Sequence, residues 1–250
     1  MPAPERGEWE RDRQQRARPL RPRDAATLVV VDRSSGEPRI LMGRRRPDQV
    51  FLPNKFVFPG GRVDRTDLTA PSVDELATAE VARLLYDMKG KPSAARVRAL
   101  ALAAVRETFE ETGIVLGRRE TSPRRSRSGA WSAFHATGCL PAIATLTFFA
   151  RAITPPGRAR RYDTSFFTVD ASEIAMRAAP LDQELSSIDW FTIDEIRRLD
   201  LPNITRAVVE DLADLLRADA PLAGQRASAV PYFSFTNGAF CRHLFDAAPS

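Results

Sequence analysis

Cysteine is scarce in this 250-residue chain: Cys139 and Cys241 are the only two. Their spacing fits neither a zinc knuckle nor a disulfide framework, so both read as buried free thiols in a reducing, cytoplasmic setting. Histidine is equally rare, and His135 and His243 stand isolated, which makes them structural or surface residues rather than metal ligands. Lysine occurs three times, at 55, 89 and 91, so 34 of the 37 basic residues are arginines. Composition bias accounts for most of that, although arginine also suits bidentate contact with phosphate. No apolar run approaches the roughly 18 residues of a membrane span. The best candidates, Thr27–Val31 and Thr145–Ile153, are short and read as strands, so no membrane partner is expected.

The hydrophobic fraction of 43% beside 28% charged residues excludes a wholly disordered or collagen-like chain. At this length folding buries enough apolar surface to need no disulfide or structural metal. The net charge of +5 is too modest to make nucleic acid the expected partner and is compatible with anionic small molecules. Residues 1–24 carry seven arginines and five acids with no apolar core, which reads as a solvated, disordered tail rather than a secretory signal. The final Ala-Pro-Ser is not a peroxisomal address. Residues 25–225 are expected to form one domain, followed by an aromatic-rich tail over 226–250.

Apolar runs at 26–31 and 40–44 flank a turn-rich cluster at 33–38 and predict a hairpin. Phe56-Val57-Phe58 then runs into Pro59-Gly60-Gly61, where the glycines let backbone approach a ligand. Val73, Leu76, Ala77, Val81, Leu84, Leu85 and Met88 recur at helical spacing. Ser93 caps a second helix reaching Thr112, with Val97, Leu100, Ala101, Ala104, Val105 and Thr108 facing inward and Gly113 as its stop. An Arg/Ser-rich loop spans 118–129, and strands are expected at 145–153, 162–168 and 188–193, with helices at 194–199 and 203–217. Strands mixed with a few helices suggest an α+β or mixed-sheet sandwich rather than a doubly wound fold.

The chemistry concentrates in Arg106-Glu107-Thr108-Phe109-Glu110-Glu111-Thr112-Gly113-Ile114. On a helix, positions 107, 110 and 111 fall within about 100° of arc, so the three glutamates share one face. Like charges at these spacings cost a helix about 0.2–0.5 kcal/mol each. A hard divalent cation reverses that sign, because carboxylate oxygens together with substrate phosphates are what Mg²⁺ or Mn²⁺ prefers. A solvated acidic helix face is the alternative for such a run taken alone. Here it follows a Gly-rich loop, Phe58-Pro59-Gly60-Gly61-Arg62-Val63-Asp64.

This arrangement resembles the Nudix hydrolase family, whose box runs from a glycine to a glutamate six positions on and then, after a short spacer, to Arg-Glu-U-x-Glu-Glu-x-Gly-U, U being bulky and apolar. Gly61 matches the first glycine, and Arg106, Glu107, Glu110, Glu111, Gly113 and Ile114 match the helical part. The chain departs in having Asp67 at the first glutamate, Thr108 at an apolar position, and a long insert, residues 68–105, within the box. That insert, together with Phe51-Leu52-Pro53-Asn54-Lys55-Phe56-Val57-Phe58-Pro59-Gly60-Gly61, is similar to a subgroup containing coenzyme A diphosphatases.

The resemblance covers roughly residues 25–200 and implies an α/β Nudix fold, an α/β/α sandwich around a mixed sheet with a helical insert. It implies Mg²⁺- or Mn²⁺-dependent hydrolysis of a diphosphate bond in a small nucleotide-type substrate. Glu110 and Glu111 become metal ligands, Glu107 a third ligand or the base, and Arg106 the residue orienting a glutamate. Gly60 and Gly61 shape the substrate loop, and Glu184 is the candidate for a further ligand from a later loop. Arg44, in the run Arg44-Arg45-Arg46, and Arg161, in an Arg-rich loop before a strand, are candidates for substrate phosphate, with a solvated charge run as the other reading of the first. Coenzyme A or acyl-coenzyme A is the first substrate choice. ADP-ribose or a dinucleotide is the second, and a non-hydrolytic nucleotide- or RNA-binding module is the reading from another class. The insert helix covers the fold, walls the pocket or makes a homodimer contact.

Overall fold

Strand β1 (Arg23–Asp32) alternates between two apolar cores: Ala26, Leu28 and Val30 face one, Val29 and Val31 the other, and all five are fully buried. A strand with both faces covered must lie inside a sandwich. The computed structural model describes residues 20–49, 52–121, 129–158, 160–218, 229–236 and 239–245, and it places β1 centrally in a nine-stranded mixed sheet. β1 pairs antiparallel with β2 (Arg39–Arg45), as the predicted hairpin, and parallel with β8 (Tyr162–Asp170). Short strands β3 (Phe56–Val57) and β4 (Gly60–Arg62) add to β2 and β1 respectively. The sheet continues through β7 (Thr147–Ile153) on one side and closes with β10 (Leu185–Thr192) on the other.

One face is covered by α2 (Ala94–Thr112), whose predicted ends hold. The Ser93 hydroxyl accepts a hydrogen bond from the Arg96 backbone N–H, and Gly113 ends the helix at φ 71°. A side chain there would place a Cβ 2.0 Å from the Ala178 carbonyl oxygen, so glycine is required both for the turn and for the close approach. The middle of α2 is buried almost all round, because alanines at 99, 101, 103 and 104 let the helix lie between the sheet and the elements outside it. Those elements are α1 (Thr78–Leu85), α3 (Gly129–Ala136) and a small sheet of β5 (Ile114–Arg119), β6 (Cys139–Pro141) and β9 (Ile174–Arg177). The opposite face is covered by the short α4 (Ile193–Arg197) and by α5 (Asn203–Arg217), which buries Val208, Val209 and Leu212. The architecture is the expected α/β/α sandwich around a mixed sheet.

Three elements differ from expectation. The insert helix starts at Thr78 rather than near Val73, because the Asp74 carboxylate accepts from the Ile143 and Ala144 N–H groups and the Val73 N–H donates to the Pro141 carbonyl, holding this stretch extended. Within α1 the fully buried Glu80 accepts from the Phe148 N–H at 3.0 Å and pairs with Arg83, which fastens the insert to β7. The aromatic C-terminal stretch forms β11 (Val230–Thr236) and β12 (Ala239–Phe245), which extend the main sheet beside β7 and bury Phe233 and Phe245 in opposite cores. At the other end β1 already begins at Arg23, inside the expected tail, and Asp24 accepts from Arg96 at 2.6 Å. Residues 1–19, Phe51 and most of the Arg/Ser-rich loop lie outside the described residues.

Candidate active site

The glycine loop and the carboxylate helix meet because β4 is pinned to β1 in register, Gly60 opposite Thr27 and Gly61 opposite Ala26. The Gly60 N–H donates to Glu111 Oε2 at 3.0 Å. At Gly61 a Cβ would lie 2.5 Å from the Glu107 carboxylate, so this position admits no side chain while Glu107 stays in place. The two glycines thus bring backbone directly against the last turns of α2.

Arg106 is the hub of the cluster. Its Nε donates to Asp67 Oδ1 at 2.8 Å and its Nη2 to Asp67 Oδ2 at 3.0 Å, a fork on one carboxylate, while Nη2 also reaches the Arg62 carbonyl at 3.0 Å. Nη1 meets Glu110 Oε2 at 2.5 Å and Glu107 Oε1 at 3.0 Å. Asp67 is itself fully buried in a 3-10 turn, Arg65–Leu68, where it accepts from the Asp64 N–H, and on its outer side it accepts from Trp131 Nε1 of α3 at 3.0 Å. The glutamate-orienting role expected of Arg106 therefore runs through a chain from Trp131 to Asp67 to Arg106 and on to Glu107 and Glu110. Trp131 carries no signal in the sequence that would have found it.

Three carboxylates, Asp67, Glu107 and Glu110, contact this one guanidinium. Burial pushes Glu107 up to about 7, with Arg106 opposing the shift and Glu110 adding to it. Glu110 is raised for the same first reason. Glu111 is raised well above the ordinary carboxylate value by burial, with the Gly60 N–H working against it. Among the described residues no three carboxylates converge on one point, because Arg106 holds Glu107 and Glu110 while Glu111 turns to Gly60. The donor set nonetheless suits a hard divalent cation: three partly or fully desolvated carboxylates on adjacent helical turns carry more negative charge than one arginine offsets.

A cavity of about 1000 Å³ opens over this cluster, with the glutamates at its floor and arginines 21, 45, 62 and 161 around it. Glu184 is brought to the same cavity, half-exposed, where it pairs with Arg45 at 3.1 Å. Arg161 lies on the rim, donating to the Thr154 and Leu20 carbonyls. Arg44 does not join them: its guanidinium lies 6.0 Å from the Phe56 ring and reaches toward the Asn54 carbonyl. Neighbours on a strand point to opposite faces, so the run 44–46 sends Arg45 to the cavity in its place. Negative floor and positive rim together fit a cation and an anionic phosphate bound side by side.

The family model described as the NUDT19 Nudix domain matches residues 22–201. A Xenopus laevis protein named acyl-coenzyme A diphosphatase NUDT19 is 24% identical over 243 residues, covering 69% of this chain and 63% of that protein. A Caenorhabditis elegans protein named putative nudix hydrolase 7 is 33% identical over 93 residues, covering 37% of this chain and 22% of that one. The chain thus spans less than two thirds of the length of these relatives. A solved Nudix hydrolase from Alicyclobacillus acidocaldarius shares the fold with a TM-score of 0.58 and 26% identity, over 82% of this chain and 99% of that structure.

Proposed function

The chain belongs to the Nudix hydrolase family through its NUDT19 Nudix domain, and from that premise we propose that it cleaves the diphosphate of coenzyme A or an acyl-coenzyme A, releasing 3′,5′-ADP and 4′-phosphopantetheine or its acyl form. The observation that carries hydrolysis is the set of three glutamates on adjacent turns of α2, facing a glycine loop beneath a basic rim. The relative named acyl-coenzyme A diphosphatase supports the choice of substrate.

Glu107, Glu110 and Glu111 would hold Mg²⁺ or Mn²⁺, which when bound supplies positive charge against the phosphoryl oxygens. Where Glu107 is not a ligand, it is the group placed to take the proton of the attacking water as the new P–O bond forms. The bridging P–O bond breaks, and the second phosphate leaves as an anion. Arg106 orients Glu107 and Glu110 through its Nη1. Arg45 and Arg161 offer charge to the phosphates at the rim, and Glu184 serves as a further acidic group at the metal side.

The test is mass-spectrometric product analysis with coenzyme A, ADP-ribose, NADH and diadenosine polyphosphate in parallel, each with Mg²⁺ and with EDTA. Metal-dependent formation of 3′,5′-ADP from coenzyme A is expected. AMP from ADP-ribose with coenzyme A untouched would reassign the substrate. No product from any of them, with the protein folded and metal present, would overturn hydrolysis in favour of a binding module.

A further inference from the structure

A second cavity, of about 720 Å³, opens at the end of the main sheet where β7 finishes and β8 begins. Its walls come from the turn after α1, from the end of β7 and from the β11–β12 hairpin. Tyr86, Phe235 and Leu244 contribute to them while remaining 51%, 39% and 58% exposed, so apolar surface gathers here around a hollow instead of being scattered. Tyr232 forms part of the lining, and Asp87, Lys89, Thr154 and His243 give the cavity a polar side beside these apolar groups. Arg161 belongs to both this cavity and the catalytic one, which makes the two neighbours across a single side chain.

Strand geometry gives the separation. Gly60, in contact with Glu111, sits opposite Thr27, whereas the start of β8 sits opposite Arg23. Four residues along β1 at about 3.3 Å each make about 13 Å, and three strand spacings from β4 through β1 and β8 to β7 add about 14 Å across, a diagonal of about 19 Å. An extended chain advances about 1.2 Å per bond, so a ligand must carry an arm of about sixteen bonds beyond the diphosphate to arrive. A nucleobase, about six bonds from its 5′ phosphorus, falls short at about 7 Å. The pantetheine arm places its sulfur about thirteen bonds, or about 16 Å, from phosphorus, so the first carbons of a thioester-linked acyl chain cover the remaining distance and the rest of that chain enters the cavity.

We infer that this cavity is the acyl subsite: the phosphopantetheine arm passes Arg161 over the end of the sheet, and the thioester-linked chain lies against Tyr86, Phe235 and Leu244. The inference rests on the coenzyme A reading given above. It makes the insert in the box a wall of the substrate site through the turn after α1, and it gives the C-terminal hairpin a part in specificity.

The experiment measures kcat/KM for octanoyl-coenzyme A and for coenzyme A with the full chain and with Ser234→Trp, which fills the cavity, and Leu244→Asp, which makes its exposed wall polar. Burial of each methylene is worth up to about fourfold, so the wild-type ratio of octanoyl-coenzyme A to coenzyme A should be about tenfold or more and should fall toward one in both variants. A wild-type ratio near one, or a ratio unchanged in the variants, overturns the subsite while leaving the coenzyme A reading in place. If neither compound is turned over, the coenzyme A reading fails and the subsite is decided by calorimetry with S-octanoyl-pantetheine, which carries no nucleotide. Binding that Ser234→Trp removes supports the subsite, and no binding to the wild-type protein overturns it.

Discussion

Replacing Asp67 by asparagine keeps the shape of the side chain and removes its charge. Each oxygen of Asp67 accepts two hydrogen bonds: Oδ1 from Arg106 Nε and Trp131 Nε1, Oδ2 from Arg106 Nη2 and the Asp64 N–H. Whichever way the amide turns, its NH₂ faces two donors, so one arm of the arginine fork and one further bond are lost. Breaking a buried ion pair from one side costs about 3–5 kcal/mol. Arg106 keeps Glu107 and Glu110, which points to the lower end, about 3 kcal/mol, or a fall in Tm of about 6–12 °C for a chain of this size. Trp131→Phe deletes one hydrogen bond to a charged acceptor and should cost about 1.5 kcal/mol. Because both changes act on the same carboxylate, the double variant should lose less than their sum. With the fork loosened, Arg106 holds Glu107 and Glu110 less rigidly, and kcat at a temperature where the variant is folded should drop roughly tenfold to a hundredfold. Thermal unfolding and steady-state kinetics on the two single variants and the double variant provide the assay. A Tm for Asp67→Asn within a degree of wild type, or strictly additive losses, would refute the anchoring chain.

Other substitutions probe the site independently. Glu111→Gln retains an oxygen for the Gly60 N–H and removes a buried carboxylate, so turnover should fall at least about a hundredfold with no loss of Tm in the metal-free protein; near-wild-type activity would remove Glu111 from the ligand set. Gly61→Ala pushes a methyl into the Glu107 carboxylate and should lower kcat at least about tenfold while Tm moves by only a few degrees, since Glu107 can swing aside; unchanged kinetics would show that its position is not critical. His135 is buried beside Trp131, and burial pushes its pKa below the ordinary 6.5. As pH falls below 6.5 the unfolded chain takes up a proton that the folded chain resists, so this residue's contribution to stability is lost toward acid. Comparing Tm at about pH 7.5 and 5.5 should show a smaller drop for His135→Phe than for wild type, and equal drops would contradict that.

The insert in the box separates Asp67 from Arg106 by 39 positions and yet leaves them in bidentate contact. Its own anchors explain how: Glu80 takes the Phe148 N–H, Asp74 takes two N–H groups before β7, and Arg98 donates to the Ala70 carbonyl. These bonds fold the insert back against α2 and the sheet, so that it leaves and returns without moving the two halves of the site apart. Each of the buried anchors satisfies backbone groups that would otherwise be stranded, which makes the insert part of the domain's core rather than an appendage.

Features set by neighbours within a few residues are legible along the chain. The cap at Ser93, the stop at Gly113, the common face of Glu107, Glu110 and Glu111 and the bounds of α5 all follow from periodicity, capping and conformational preference. The remaining features depend on long-range packing. Asp67 and Trp131 meet Arg106 because distant segments fold onto α2, and no local pattern records such a pairing. Arg45 rather than Arg44 reaches the cavity because the register of β2 in the sheet sets which face each residue takes. The aromatic residues near the C-terminal end become strands because the edge of β7 offers unpaired backbone groups to bond with. Long-range contacts depend on where whole elements pack, and that information is spread over the sheet and its covering helices rather than written at the residues that use it.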